Sequence, residues 1–443
     1  ISAQVSPLQV DTLKETKIPD QWDLQSCIDY AKEQNITIRK NRITAVSTQI
    51  DVKTAKAALF PSLSFSTGHQ VVNRPYQETS SRVSGSEIIS SNSKTSYNGN
   101  YGLNASWTLY NGNKRLKTIQ QEKLNNQMAE LDVATSENNI QESIAQVYIQ
   151  ILYAAESVKV NENTLQVSIA QRDRGQELLN AGSIAKSDLA QLEAQVSTDR
   201  YQLVTAQATL EDYKLQLKQL LELDGENEMN IYLPALSDEN VLAPLPTKRD
   251  VYISALSLRP EIEASKLNVE ASELGINIAK SSYFPTISLS AGIGTNHTSG
   301  SDFTFGEQVK NGWNNSIGLS VSVPIFNNRQ TKSAVQKAKL QYETSMLSLL
   351  DEQKALYKTI ESLWLDANSA QQRYAAANEK LKSTQISYEL ISEQFNLGMK
   401  NTIELLTEKN NLLQAQQEQL QAKYMAILNM QLLKFYQGDQ LAI

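Results

Sequence analysis

A chain of 443 residues with 48 acidic against 41 basic side chains, net charge −7, is a poor electrostatic partner for nucleic acid, and no Lys/Arg-rich run offsets that balance. A mean hydropathy of −0.40 and the lack of any apolar run of about 18 residues exclude a transmembrane helix. They leave open a transmembrane β-barrel, whose alternating strands keep average hydropathy low.

The segment 1–23 has no periodicity and carries Pro7 and Pro19, which predicts an extended arm. Its first ten residues have neither the charged start nor the apolar stretch of a signal peptide. The chain is therefore either intracellular or a mature form whose signal has been removed. Cys27, the single cysteine, excludes an intrachain disulfide. The tetrad Leu24-Gln25-Ser26-Cys27 faintly resembles a lipoprotein cleavage box, but Asp20 and Asp23 stand where an apolar segment belongs. Cys27 reads instead as a small apolar residue on a helix face.

A first repeat is predicted over 24–224. It opens with a helix over 24–59, with a weak point at Gln34-Asn35, and continues into a β-hairpin over 61–110. The strands of that hairpin, 62–72 and 97–110, flank a Ser/Asn-rich stretch, 79–96, that reads as an exposed loop. A helical hairpin then covers 114–223, turning near Gly182. Its first arm is a rod of about 100 Å at 1.5 Å per residue. Residues 225–247 form a linker. A second repeat over 248–438 has the same order: helix 248–283, β-hairpin 285–326 with Gly300 and Gly306 in its loop, and helical hairpin 329–437 turning near Gly398. Residues 439–443 are a tail.

The repeat is written most plainly where helix becomes strand. AKAALFPSLSFSTG (Ala55 to Gly68) and AKSSYFPTISLSAG (Ala279 to Gly292) both stop a helix at an aromatic-Pro pair, Phe60-Pro61 and Phe284-Pro285. Proline lacks the amide proton a helix interior needs and drives the preceding residue towards extended geometry. The long helices carry seams of 4-3 spacing, from Leu189 to Leu220 in one and from Leu356 to Phe395 in another, as coiled coils do.

Each strand sets an apolar face against one of Ser, Asn, Thr and Gly. Tyr97, Tyr101, Leu103, Ala105, Trp107 and Leu109, for example, alternate with Asn98, Asn100, Asn104, Ser106 and Thr108. A soluble sandwich would cover the apolar face with a second sheet; a membrane barrel would turn it to lipid. Trp107, Tyr110, Trp313 and Phe326 fall near strand ends, as an interfacial aromatic girdle requires, or else in a soluble core at the strand-helix junctions. Four strands cannot close a barrel, for which about eight is the practical minimum. Several chains would have to complete it, because lipid does not tolerate open sheet edges.

The duplicated helix, Phe-Pro, strand order, the junctions Trp107 to Gly112 and Pro324 to Asn328, the segment Trp22 to Ala31 and the two glycine tips together resemble the TolC-type outer-membrane efflux family. The resemblance implies an α+β membrane channel: a homotrimer with a twelve-stranded β-barrel in the outer membrane of a Gram-negative bacterium, continued by long helical hairpins as a tunnel through the periplasm. It also implies two partners, an inner-membrane pump and its periplasmic adaptor protein, which would engage and open the tunnel's far end, leaving this chain a passive gated conduit in outer-membrane lipid.

By the same resemblance, the second tip would hold the gate. The family carries there an aromatic residue, a glycine three positions on, a basic residue and two aspartates that ring the closed entrance. Here Phe395, Gly398, Lys400, Glu404 and Thr407 stand at those positions, so one acidic ring is kept and the second charge is lost. At the first tip Ser187 and Asp188 are the expected partners of Lys400 in a latch. Gly182, Ser183, Gly398, Met399 and Asn401 are the expected adaptor contacts.

No metalloprotease, phosphate-loop or dinucleotide motif is present, which argues against an enzyme, and neither cofactor nor metal is expected. The only histidines, His69 and His297, lie at the loop side of the strands and read as solvated. The competing function is a structural or surface coiled-coil protein that transports nothing. It accounts for the heptads but not for the strands or the duplication.

Overall fold

A computed structural model describes residues 19–76, 80–84, 87–91, 94–224, 229–234, 241–299, 301 and 303–442. Most of the expected N-terminal arm, Gly300 and much of the 225–247 linker lie outside the described residues.

The chain divides into two compact units that cut across the sequence repeats. One comprises 1–45, 128–266 and 348–443, and the other 46–127 and 267–347. Each is thus assembled from matching pieces of both repeats.

Helices α1 (Leu24–Gln34) and α2 (Ile36–Ala57) are separated by Asn35. The Asn35 side chain accepts a hydrogen bond from the Thr37 amide at 2.9 Å, capping α2, and donates to the Leu220 carbonyl at 3.0 Å. The corresponding helix of the second repeat, expected to be continuous over 248–283, is also two: α5 (Lys248–Leu258) and α6 (Pro260–Ser281). Pro260 supplies the break, since a residue before proline is pushed to extended geometry and proline is well suited to a first helical position. Arg259 takes that extended conformation (φ −74°, ψ 123°). Its buried guanidinium lies 2.7 Å from Glu142 and 3.6 Å over the Tyr436 ring. Burial pushes the Glu142 carboxyl up, with Arg259 pulling against it.

The helical hairpins are α3 (Lys114–Asn180) with α4 (Lys186–Leu220), and α8 (Gln330–Asn396) with α9 (Thr402–Gln437). Every seam residue of α8 from Leu356 to Phe395 at the 4-3 spacing is buried or half-buried. A core cluster around Ile28, Ile144, Tyr148, Leu152, Leu217, Tyr374 and Ile427 closes the first unit, and Trp22 joins it through a parallel bridge to Ile231. Cys27 is fully buried in that cluster, and burial, with Asp23 nearby, pushes its thiol up to about 12.

The second unit carries a four-stranded antiparallel sheet in the order β1 (Ser62–Asn73), β4 (Thr95–Asn111), β5 (Thr286–Thr298), β6 (Asn314–Ser322), with β1 and β6 at its edges. Its register sorts the two faces. Ser62, Ser106, Ser290 and Gly318 share one row, while Leu63, Ala105, Ala291 and Ile317 share the next, on the opposite face. The apolar face is open within the chain: Leu63, Phe65, Ile317 and Leu319 are each at least 65% exposed.

A bulge between Thr108 and Tyr110 places Tyr110 opposite Ile287, so Tyr110 and not Leu109 continues the apolar row. Within the stretch expected to be a plain loop, β2 (Ser80–Ser84) pairs with β3 (Glu87–Ser91). The other hairpin loop carries a short helix, α7 (Phe305–Asn311), with Gly306 inside it.

Candidate functional site: junctions and hairpin tips

The junctions are built from orphaned carbonyls. Phe60 and Phe284 close α2 and α6 by donating amide hydrogen bonds to the Ala57 and Ser281 carbonyls, at 3.0 and 3.1 Å, and Pro61 and Pro285 then prevent continuation. Carbonyls left over at the end of α2 are taken by side chains: Trp107 donates its indole N–H to Leu59 at 2.8 Å, and Arg115 donates to Ala58 at 2.9 Å. Of the four aromatics expected in a girdle, Trp107 is therefore tethered at 39% exposure and Tyr110 is half-buried, whereas Trp313 and Phe326 are 58% and 84% exposed. The strand-to-helix turns also repeat. Gly112 and Asn113 have φ of 67° and 62°, and Asn328 and Arg329 have 51° and 65°. Gly112 is required on a second ground, since a Cβ there would stand 2.6 Å from the Ser281 carbonyl oxygen.

The two tips share one construction. Gly182 and Gly398 adopt φ of 74° and 73°, and the amides of Ser183 and Met399 reach back to Leu178 and Gln394 at 2.8 Å. This is a helix ended by a left-handed glycine, the conformation an L side chain resists. Three residues after each glycine the next helix is capped, and three residues further an acidic side chain serves that cap. Asp188 accepts the Ala185 amide at 3.0 Å. Glu404 accepts the Asn401 amide at 3.2 Å, while Asn401 accepts the Glu404 amide at 2.9 Å, a reciprocal capping box.

Lys400 does not meet Ser187 or Asp188 within this chain. Its ammonium lies 2.5 Å from Glu404, one turn along the same helix start. That bond, followed by the Asn401 amide, holds the Glu404 carboxyl below the usual carboxylate range. The expected bare carboxylate is thus an ion pair. Thr407 is exposed and its hydroxyl bonds the Ile403 carbonyl at 2.8 Å, so it offers no charge. Ser183, Ser187 and Asn401 are exposed, as are the apolar side chains of Leu397, Met399 and Ile403.

One feature of the hairpins was not anticipated. Asp199 of α4, Lys409 of α9 and Ser168 of α3 meet in a buried hydrogen-bonded cluster. Burial pulls the Lys409 ammonium down from its ordinary value, and the Asp199 hydrogen bond and charge oppose the shift. Gln195 closes the arrangement, donating 2.9 Å to Asp199. The signal was available: Val196, Asp199, Leu203 and Leu405, Lys409, Leu412 keep the 3- and 4-residue seam spacing, so both charges occupy inward positions.

Comparison with known proteins agrees with this architecture. The sequence model of the family described as "Outer membrane efflux protein" matches residues 27–222 and 251–438, one stretch in each repeat. The outer membrane efflux protein BepC of Brucella suis is 24% identical over 65% of this chain and 60% of its own length. The outer membrane protein TolC of Escherichia coli is 24% identical over 64% of this chain and 58% of its own length, so the chain aligns with less than two thirds of either relative. Among solved structures, the outer membrane protein VceC of Vibrio cholerae superposes with a TM-score of 0.76 at 16% identity, covering 95% of this chain and 97% of VceC. Two matched stretches that together span most of the sequence place the chain in the outer membrane efflux protein family.

Proposed function

We propose that the chain is one subunit of a homotrimeric exit duct, in which three four-stranded sheets close a twelve-stranded barrel in the outer membrane and the helical hairpins continue it as a periplasmic tube. The observation that carries this reading is the sheet with unlike faces and two open edges. Alone, four strands cannot close, and lipid does not tolerate the unpaired edges of β1 and β6. Neighbouring copies satisfy those edges, lipid covers Leu63, Phe65, Ile317 and Leu319, and the Ser, Asn and Gly rows line water.

The duct is passive. An inner-membrane pump supplies the energy and a periplasmic adaptor docks on the tips, where Gly182, Ser183, Gly398, Met399 and Asn401 are exposed. Glu404, Lys400 and Thr407, with Ser187 and Asp188 on the other tip, form the gate. Three copies of the Lys400–Glu404 pair make a ring of compensated charges, not a purely acidic one.

The test is a cysteine at Ser183 or Asn401 in cells, combined with fractionation. Because Cys27 is buried, the introduced thiol is the reactive one. A heat-modifiable trimer in the outer-membrane fraction, crosslinked through the tip to an adaptor, is expected. A chain that partitions without detergent and captures no adaptor overturns the proposal.

A further inference from the structure

The two histidines of the chain lie 228 positions apart in sequence yet flank one residue in space. In the register of the sheet, His69 of β1 and His297 of β5 are both paired with Gly99 of β4. A Cβ on residue 99 would stand 2.6 Å from His297 Nδ1, 2.1 Å from the ring carbon beside it, and 3.1 Å from His69 Nδ1. The glycine therefore opens a space at which an imidazole nitrogen from each side converges. Any other residue would fill it.

The surroundings hold both rings in place. Tyr97 stacks on His69 with ring centres 5.7 Å apart, Tyr101 stacks on His297 at 5.9 Å, and Phe305 meets His297 edge-on at 4.9 Å. Phe305 is itself fixed by α7, which is tied to β5 through Thr295 to Val309 at 2.7 Å and Thr298 to Gln308 at 2.8 Å. Within this frame the two nitrogens differ. His69 Nδ1 is 2.7 Å from the Tyr97 hydroxyl. His297 Nδ1 is buried and has no hydrogen-bond partner among the described residues. A buried polar atom left without a partner is uncommon, and the lone pair of His297 Nδ1 is available to an ion.

We propose that His69 and His297 bind a late divalent transition-metal ion in the space above Gly99, with the Tyr97 oxygen beside it as a further donor. The donor chemistry selects the class of ion. Two neutral imidazoles and a phenol oxygen suit copper, nickel or zinc, whereas calcium and magnesium need several hard oxygens. Among the described residues no group of three or more His, Cys, Asp and Glu side chains could hold a metal. The donors at hand are the two imidazoles and the Tyr97 oxygen, at the loop end of the same sheet face as Leu63 and Ile293. This assignment stands on the sheet register and on the ring nitrogens it brings together, and it does not depend on transport.

The experiment is titration of Cu²⁺ alone into the full chain, extracted in detergent without an affinity tag, followed by electron paramagnetic resonance. Because the chain has only two histidines, any imidazole hyperfine signal is theirs. The expected result is one copper per chain with two imidazole nitrogens. His69→Gln or His297→Gln should weaken binding by about tenfold or more, at least the cost of losing an outer-shell partner of a metal ligand. Gly99→Ala keeps both imidazoles but fills the space, and should abolish the two-nitrogen signal. Copper bound through one imidazole or none in the unsubstituted chain overturns the proposal, as does a two-nitrogen spectrum that survives Gly99→Ala.

Discussion

The Lys409 ammonium rests on the Asp199 carboxylate with only 3% and 2% of the two side chains exposed, joining α9 of one hairpin to α4 of the other. Removing one partner strands the other charge in a desolvated seam, which costs about 3–5 kcal/mol, whereas replacing both by apolar residues of similar size is close to neutral. Lys409→Met alone should therefore lower the melting temperature of the extracted protein sharply, and Asp199→Leu added to it should restore most of the loss. A double variant as unstable as the single would mean that packing, not charge, dominates at this position.

Trp107 and Leu59 give a second measurable link. Trp107→Phe keeps the ring but removes the indole N–H that satisfies the Leu59 carbonyl beside Pro61. The expected loss is about 1 kcal/mol, read as a lower melting temperature. Trp313→Phe, at a ring 58% exposed, should cost less and serves as the control. Equal effects from the two substitutions would remove the junction tether from the account.

How much of this could be read beforehand depends on how local each cause is. The Phe-Pro junctions, the Ser/Leu alternation and the glycine turns are decided by a few neighbouring residues, and they appear in the sequence as plainly as in the fold. The bulge at Thr108–Tyr110 is different. Alternation continues unbroken through Leu109, and only the partner strand, by pairing Ile287 with Tyr110, shows that one residue is extra. The break at Arg259 was hidden because the helical pattern resumes directly after Pro260. Asp199 and Lys409 keep the seam spacing, but their type works against it: a charge at a seam position reads as surface until its partner from another helix is known. The pairing of Lys400 with Glu404 is local, four residues apart at one helix start, but the family resemblance points instead to a contact between hairpins. His69 and His297 could not be related at all without the register that carries both to Gly99.

The Lys400–Glu404 pair makes a pH prediction whose sign follows from its geometry. Glu404 has a carboxyl pKa lowered from 4.5 in the folded tip, chiefly by Lys400 and then by the Asn401 amide. Its stabilising contribution is fully present above the unfolded value and is lost as pH falls through the lowered folded one. Amide protection at Asn401 to Leu405, taken relative to the intrinsic exchange rate at each pH, should accordingly hold at neutral pH and fall only below the ordinary carboxylate range. In Lys400→Ala, where the Asn401 amide hydrogen bond remains but the ammonium is gone, the loss of protection should begin at higher pH. Identical profiles in the two proteins would mean the ion pair does not form in solution.

The matched glycines at the tips separate backbone strain from packing. A Cβ at Gly182 or Gly398 would meet nothing within 4 Å, so substitution there is sterically free and acts only through the left-handed φ. Gly398→Ala should cost about 1–2 kcal/mol at the turn. Gly398→Asn should cost less, because asparagine tolerates that region better. The cost falls on a turn whose amides already close α8, at Gln394 and Phe395, so it should show as local opening. Proteolysis between Phe395 and Asn401 should become faster in the order Gly, Asn, Ala, with the melting temperature of the body little changed, because the core clusters lie elsewhere in the chain. A fall in global stability with no change in tip cleavage would show that the turn is braced by contacts of another kind.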